Sequence, residues 1–581
     1  MTARRADAWI ASQRRTRLGY QAAQNRLIPL TPLRGAFLLL LFFGQAKKSR
    51  RHTQKKSKRF NNTRQSLGVF AMNFRMILRI QSQALMTFAA ADILPVIYAI
   101  VEFNAFDTTI FFASIGIILI VTGIIFQRFG VGRFQRAPIA ESATAILLMY
   151  PLLAIFGSLP FMLTGWLSPL DALLEATGDL TSAWLSLLPD DAPYLLLLWQ
   201  SEMMWLGSLL FLIMLVTVLP EVSGCFGISL SSQGGQGFSA IIGQMNLMSV
   251  RVIKVYLTLT AISFAAFKLA GLDIWYSILM AMRCISTGGG KFFPAHESFY
   301  VEYATIFVML LACGNFLIYH RVIYMLMPPR LEFGMNYFTR LKQYFLRLKR
   351  TIISNAKLVL ANEEVKILYA TIFFGMIVLM FRVFLQEIYF DGNEAFRRSL
   401  FYIVSFVSTT GITLSDAAAE VHDFDKFFIF LMAVTGGCIG SVTGGFKIIR
   451  LIVLIKITAA EIKKTIHPRM MTAIRVGDTP VPMRTVGRIL AYFFLALVTM
   501  FICAAVLSYT GPTFSEAVSM SVACLSTVGN LPGLCDAENF KNLSSFGKIF
   551  CMIILVVGRL ELFALLIAIA GIRIRRRKSD W

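Results

Sequence analysis

One feature constrains this chain more than any other: long, predominantly uncharged apolar runs of about 20 residues recur from residue 79 to the C-terminus, each enough to cross the ~30 Å hydrocarbon layer as a helix. A backbone in lipid must satisfy its own hydrogen bonds, so such a chain is expected to fold as an all-α polytopic membrane protein. Composition agrees, with 56% hydrophobic residues, only 15% charged and a mean hydropathy of +0.67. A soluble enzyme and a secreted disulfide scaffold are excluded. The 8 cysteines are scattered without metal-ligand or disulfide-framework spacing and read as small core residues. About ten spans are expected, near 79–103, 108–127, 140–164, 194–219, 252–270, 300–327, 365–386, 426–455, 487–509 and 546–572.

The formal charge of +24 divides unevenly, since residues 1–71 carry 16 Lys or Arg against the single acid Asp7. This basic extension is expected to be disordered or not native, with Met72 as the true start. Its Lys/Arg run from Lys47 to Arg64 lacks the stacking platform of a nucleic-acid reader, so no nucleic-acid partner is expected. Further on, basic connections (Arg128 to Arg136, Arg330 to Arg350, Lys463 to Arg484) and the tail Arg573 to Lys578 alternate with acidic ones. The positive-inside rule then places both termini in the cytoplasm of a cell whose lipid bilayer the chain spans.

Four outward connections share one plan, a short half-apolar helix opened by an acid and closed by a small-residue cluster. They read DALLEATGDLTSAW (171–184), DIWYSILMAMRCISTGGG (273–290), NEAFRRSLFYIVSFVSTTG (393–411) and TFSEAVSMSVACLSTVG (513–529). Recurrence at roughly 100 to 120 residues divides the chain into two extra spans (72–139) and four pseudo-symmetric repeats, 140–251, 252–364, 365–486 and 487–581. Non-helical backbone at membrane depth is tolerated only where it lines a cavity or is buried in protein. Ser/Thr-Gly clusters let consecutive carbonyls replace an ion's hydration shell, and the preceding half-helices aim their negative dipole ends inward. Both features favour a cation. No His, Cys or carboxylate cluster offers transition-metal ligands, and no nucleophile and base suggest catalysis, so neither an enzyme nor a bound cofactor is expected.

The arrangement resembles the TrkH-type subunits of the Trk/Ktr/HKT superfamily of potassium transporters, over essentially all of residues 72–572. ISTGGG (285–290), STTG (408–411) and CLSTVGNLPG (524–533) are similar to the second, third and fourth filters of that family. TGGCIGSVTGGFKIIR (435–450) matches its Gly-rich helix break, and GRLELF (558–563) its Arg-bearing last helix. The resemblance implies one pore per subunit, a homodimer, a cytosolic nucleotide-binding regulatory subunit of the TrkA kind, a bacterial inner membrane and K⁺ as the transported ion. It also implies a cation-lining backbone at Ser286 and Thr287 before Gly288, Thr409 and Thr410 before Gly411, Thr527 and Val528 before Gly529, and Ser182 and Ala183 in the first repeat.

Three positions depart from the family pattern. Trp184 stands where the first filter ends in Gly or Ser, Gly290-Lys291 replaces an aromatic and a small polar residue, and Trp205-Leu206-Gly207-Ser208 keeps only part of a Gly-rich turn. The glycines Gly436, Gly437, Gly440, Gly444 and Gly445 are too many for a straight helix, so the eighth span is expected to break into a gate loop. Arg559 is expected to hydrogen-bond that loop's carbonyls, with pairing to Glu561 or snorkelling as the alternative, and Lys447 to face the cytoplasm. Asp171, Glu175 and Asp179 share one helix face, either solvated or concentrating cations at the mouth. Glu202 is expected to face the bundle or lie near the interface. Besides potassium uptake through a channel-like pore, two other functions fit: a secondary solute symporter, and a divergent paralogue that conducts weakly or not at all, which Trp184 keeps open.

Overall fold

The computed structural model describes residues 74–101, parts of 110–128, 139–217 except 186 and 190, 245–290, 298–320 except 317, 362–385, 392–414, 423–480 except 468, 470–472 and 478, and 481–566 except 563 and 564. Outside them lie the basic extension 1–71 and the expected start at Met72, the basic tail, about half of the second expected span, and Lys291. The described residues are overwhelmingly helical, with one two-stranded hairpin at Arg475–Val476 and Thr479–Pro480.

Six helices among them are long and apolar enough to cross a membrane, at Ile80–Val101, Thr144–Leu163, Tyr194–Leu215, Val250–Leu269, Glu363–Arg382 and Met483–Ser508. All six coincide with expected spans. Their outer faces leave Phe373, Phe374, Phe381, Phe494 and Phe501 exposed, as befits side chains whose solvent is lipid. The helices α1 (Phe74–Ala91) and α2 (Ile93–Val101), which together make the first expected span, precede α3 (Ile139–Gly157) and the short α4 (Leu159–Leu163). Asp92, at the turn between α1 and α2, is fully buried, and Glu202 nearby is 3% exposed, so Glu202 faces the bundle.

The four repeats are plain in the helices that follow. The pore helices are α5 (Pro169–Thr181), α8 (Ile274–Ile285), α11 (Gly392–Val407) and α15 (Phe514–Leu525), one in each repeat. Three begin where the sequence supplies a cap: Ser168 accepts from the Asp171 amide, Asp273 from the Trp275 amide, and Thr513 forms a capping box with Glu516. The helices after them are α6 (Tyr194–Thr217), α9 (Phe299–Cys313), the pair α12 (Asp423–Thr435) and α13 (Ile448–Ile466), and α17 (Ser545–Leu560). The helices before the last three pore helices are α7 (Met245–Leu269), α10 (Glu363–Leu385) and α14 (Met483–Ser508), while α16 (Ala537–Lys541) lies between α15 and α17. Each pore helix also packs on a helix of the preceding repeat: α8 on α6, α11 on α9, α15 on α12, and α5 on α17. That last contact joins the fourth repeat to the first. The order is therefore cyclic, and the four pore helices close around one axis.

The eighth expected span does not run through as a helix. It stops at Thr435 and resumes at Ile448, and the intervening residues are loop, as the glycine count requires.

Candidate ion pathway

All four pore helices end in the same turn. Ser182, Thr287, Thr409 and Thr527 have φ of 60, 56, 53 and 51°, a left-handed backbone that costs a residue with a Cβ roughly 1–2 kcal/mol. Each amide bonds a carbonyl three residues back: Ser182 to Asp179, Thr287 to Cys284, Thr409 to Phe406 and Thr527 to Cys524. The next amide in each bonds five residues back, to Gly178, Arg283, Ser405 and Ala523. Four hydroxyl-bearing residues thus hold one strained conformation at the foot of four strands, and strain of this kind persists only where the surroundings enforce it.

This turn sets the register, and it corrects the second strand. The residue two past each left-handed position is Gly411 (φ 68°) in the third strand, Gly529 (84°) in the fourth, and Gly289 (79°), not Gly288, in the second. Ser286 accordingly closes α8 in right-handed geometry, at the place of Thr181, Ser408 and Ser526. Three consecutive glycines left the register open in the sequence, and the hydrogen bonds decide it. In the first strand the equivalent residue is Trp184, which is absent from the positive-φ positions.

The strand ends touch in cyclic order. A Cβ at Gly289 would meet the Thr410 oxygen at 2.7 Å and the Trp184 Cβ at 2.8 Å, and one at Gly411 would meet the Val528 oxygen at 2.9 Å. Gly529 abuts the Trp184 backbone as a parallel bridge. The Trp184 carbonyl is spent there, accepting from the Asn530 amide at 3.0 Å, while the Ala183 oxygen lies beside Gly178 of the preceding helix. Among the four strands the first is thus tied back to its neighbour.

Below the strands lies the loop between α12 and α13. The Gly444 amide donates to Thr409 Oγ1 at 2.9 Å, and its Cα sits against the Ser526 carbonyl so closely that no Cβ fits. The loop is anchored at its other end by Ile439 N–H to Glu364 Oε1 (2.6 Å) and by Cys438 N–H to the Cys313 carbonyl (3.0 Å). Arg559, 1% exposed near the end of α17, donates from Nη1 to the Val442 carbonyl at 2.9 Å and from Nη2 to Ser208 Oγ at 2.7 Å and Ser182 Oγ at 3.2 Å, with its guanidinium 4.5 Å from the Phe211 ring. Glu561 pairs instead with Arg450, and both are buried.

Two expectations fail here. Lys447 does not face the cytoplasm: it is 1% exposed, its ammonium donating to the carbonyl and hydroxyl of Thr443 within the same loop. Glu175 and Asp179 are buried at the bundle centre and do not form a solvated face; only Asp171 lies near the surface, bonded to Lys548 at 2.5 Å. Sequence reasoning also missed Ser208, whose hydroxyl bonds Ser182 Oγ (2.6 Å) and the Ser286 carbonyl (2.8 Å) besides Arg559. The only signal was its place in the partly kept Gly-rich turn.

A family model for TrkH, described as a cation transport protein, matches residues 158–573, a stretch holding all four strands, the loop and Arg559. The chain belongs to the TrkH family. Among relatives, the Trk system potassium uptake protein TrkH of Halomonas elongata is 25% identical over 504 residues, covering 85% of this chain and 98% of the relative. The protein of the same name from Escherichia coli K12 is 25% identical over 523 residues, with the same coverage. The crystal structure of the potassium transporter TrkH from Vibrio parahaemolyticus superposes with a TM-score of 0.70 at 23% identity, covering 85% of this chain and 98% of that one, so the TrkH fold is shared.

Proposed function

We propose that this chain takes up potassium through a single pore along the four-repeat axis, with the strands 182–184, 287–289, 409–411 and 527–529 as its filter and the loop 436–447 as its gate. The observation that carries the reading is the set of four equivalent left-handed turns in cyclic contact, which brings four runs of backbone carbonyl to one place in a lipid-embedded bundle. A symporter built from two inverted halves has no need of such a four-fold arrangement. The names of the relatives, potassium uptake proteins, point the same way. The reading involves no bond chemistry and no cofactor beyond the transported ion. It extends to a homodimer in a bacterial inner membrane, both termini cytoplasmic, with a nucleotide-binding TrkA-like partner below the gate. Rubidium uptake by proteoliposomes holding the purified chain tests it: uptake without an organic solute is expected, and none under an inside-negative potential would refute it.

A second reading concerns selectivity. The Trp184 carbonyl is engaged by the Asn530 amide, whereas the equivalent Gly529 carbonyl meets only the weak Cys535 thiol donor at 3.8 Å, so the first strand offers a less available oxygen, and discrimination of K⁺ from Na⁺ depends on the number and field strength of such oxygens. We place this protein among the weakly selective members of its fold.

A further inference from the structure

Arg283 is the most unusual residue beside the pathway. It lies in the last turn of α8, four residues before the left-handed Thr287, where the other repeats carry Gly178, Ser405 and Ala523. It is 3% exposed, and its side chain heads a buried chain of donors and acceptors. Nε donates to Ser201 Oγ at 2.8 Å and Nη2 to Gln200 Oε1 at 2.6 Å. Gln200 Nε2 in turn donates to Glu175 Oε1 at 2.5 Å, and the other oxygen of Glu175 accepts from the Leu187 amide at 3.1 Å. The Ser201 hydroxyl spends its proton on the Leu197 carbonyl, so only its lone pairs face Arg283. Asp179, buried in the same place, is close enough to feel the guanidinium charge.

The two ends of this chain matter. Arg283 Nη1 lies beside Gly290, the first residue past the second strand, such that a Cβ there would be 2.8 Å from it. Leu187, at the far end, is in the segment leaving the first strand. In the third repeat the equivalent position holds its own strand exit by a direct bond: Ser405 donates its hydroxyl to the carbonyl of Ile412, the first residue past Gly411, at 2.8 Å, where Arg283 packs against Gly290.

Resting on the transport reading above, we propose that Arg283 is a positioning residue that sets ion selectivity, by tying the exits of the first and second filter strands together through Gln200 and Glu175. It joins the one strand that lacks a terminal glycine to the neighbour whose Gly289 packs against Trp184. Buried hydrogen bonds to a charged group are the strong ones, so removing the guanidinium loosens the first exit through Gln200 and Glu175 and takes away the packing against Gly290 at the second.

The test compares the wild type with Arg283→Gln, Arg283→Lys and Gln200→Ala, reading the K⁺/Na⁺ permeability ratio in proteoliposomes and the rise in melting temperature caused by K⁺ over Na⁺. Arg283→Gln should bring the ratio down to about one, abolishing the K⁺ preference of the wild type, with K⁺ flux retained. Arg283→Lys should recover part of it, and Gln200→Ala should lower it although Gln200 is one step further from the strands. A folded Arg283→Gln that keeps the wild-type ratio would overturn the proposal. If that variant does not assemble, an unchanged ratio in Gln200→Ala does so. If the wild type carries no ions, the transport reading fails, and the K⁺-dependent melting shift still decides whether Arg283 governs the filter: equal shifts in wild type and variants reject it.

Discussion

Trp184 stands where Gly289, Gly411 and Gly529 adopt positive φ, and it avoids that region, leaning its backbone on Gly529 and giving its carbonyl to Asn530. Glycine at this position removes the ~1–2 kcal/mol penalty that bars an indole-bearing residue from the left-handed turn, so the first strand can match the other three. Trp184→Gly is therefore expected to raise the K⁺/Na⁺ permeability ratio several-fold, measured as reversal potentials under bi-ionic conditions. A lower ratio in the glycine variant would make the indole a structural prop. The residue types of the site were legible: hydroxyl-bearing residues and glycines at four recurring places, and an arginine too costly to leave unpaired in lipid. The register in the second strand was not, because Gly288, Gly289 and Gly290 are chemically identical and only the Gly288 amide's bond to Arg283 orders them. Nor was the burial of Lys447, since a lysine next to a basic helix reads as a cytoplasmic flank until Thr443 is seen to fold back over it.

At the scale of elements, the loop proposed as the gate is a helix that cannot be one. Five glycines in 436–445 each disfavour helix by ~1 kcal/mol, and this much was readable from spacing alone. The partners of the loop were half readable. An arginine in the last helix had to find carbonyls, and Val442 supplies one; but Ser182 and Ser208, which share the guanidinium, lie 377 and 351 residues away in sequence, and no linear pattern reports a contact of that span. Arg559 thus clamps the loop of the third repeat to the foot of the first strand. Arg559→Ala deletes three charge-assisted hydrogen bonds, one of them to the loop itself, and a loss of ~1.5–3 kcal/mol there should raise flux in the absence of any partner by about ten- to a hundredfold. Gly444→Ala reaches the same end by another route, since its Cβ would overlap the Ser526 carbonyl and push the loop out from under the strands. Stopped-flow or isotope flux on both variants checks this. If neither changes the unstimulated rate, the loop is no gate.

For the whole molecule, cyclic closure of α5 on α17 means the first and fourth repeats are neighbours although two other repeats separate them in sequence. The repeat count was visible as a period in the sequence; the ring was not, because closure is a property of contacts between the most distant segments. If the ring holds the single filter proposed above and passes one ion species, that ion should respond only to its own electrochemical gradient. One elementary charge crossing the membrane field gains ~2.3 kcal/mol per 100 mV, and each 1.36 kcal/mol is a factor of ten, so accumulation should level off at roughly 50-fold per 100 mV, inside negative. Proteoliposomes clamped with defined potentials and loaded with a K⁺ indicator would show this plateau. It should scale exponentially with voltage and stay fixed when a proton or sodium gradient is imposed at constant potential. A plateau that rises with an inward proton gradient would mean that a second ion crosses with each K⁺, a stoichiometry that a four-strand carbonyl ring does not by itself enforce, and a separate proton-binding group in the bundle would then have to be found.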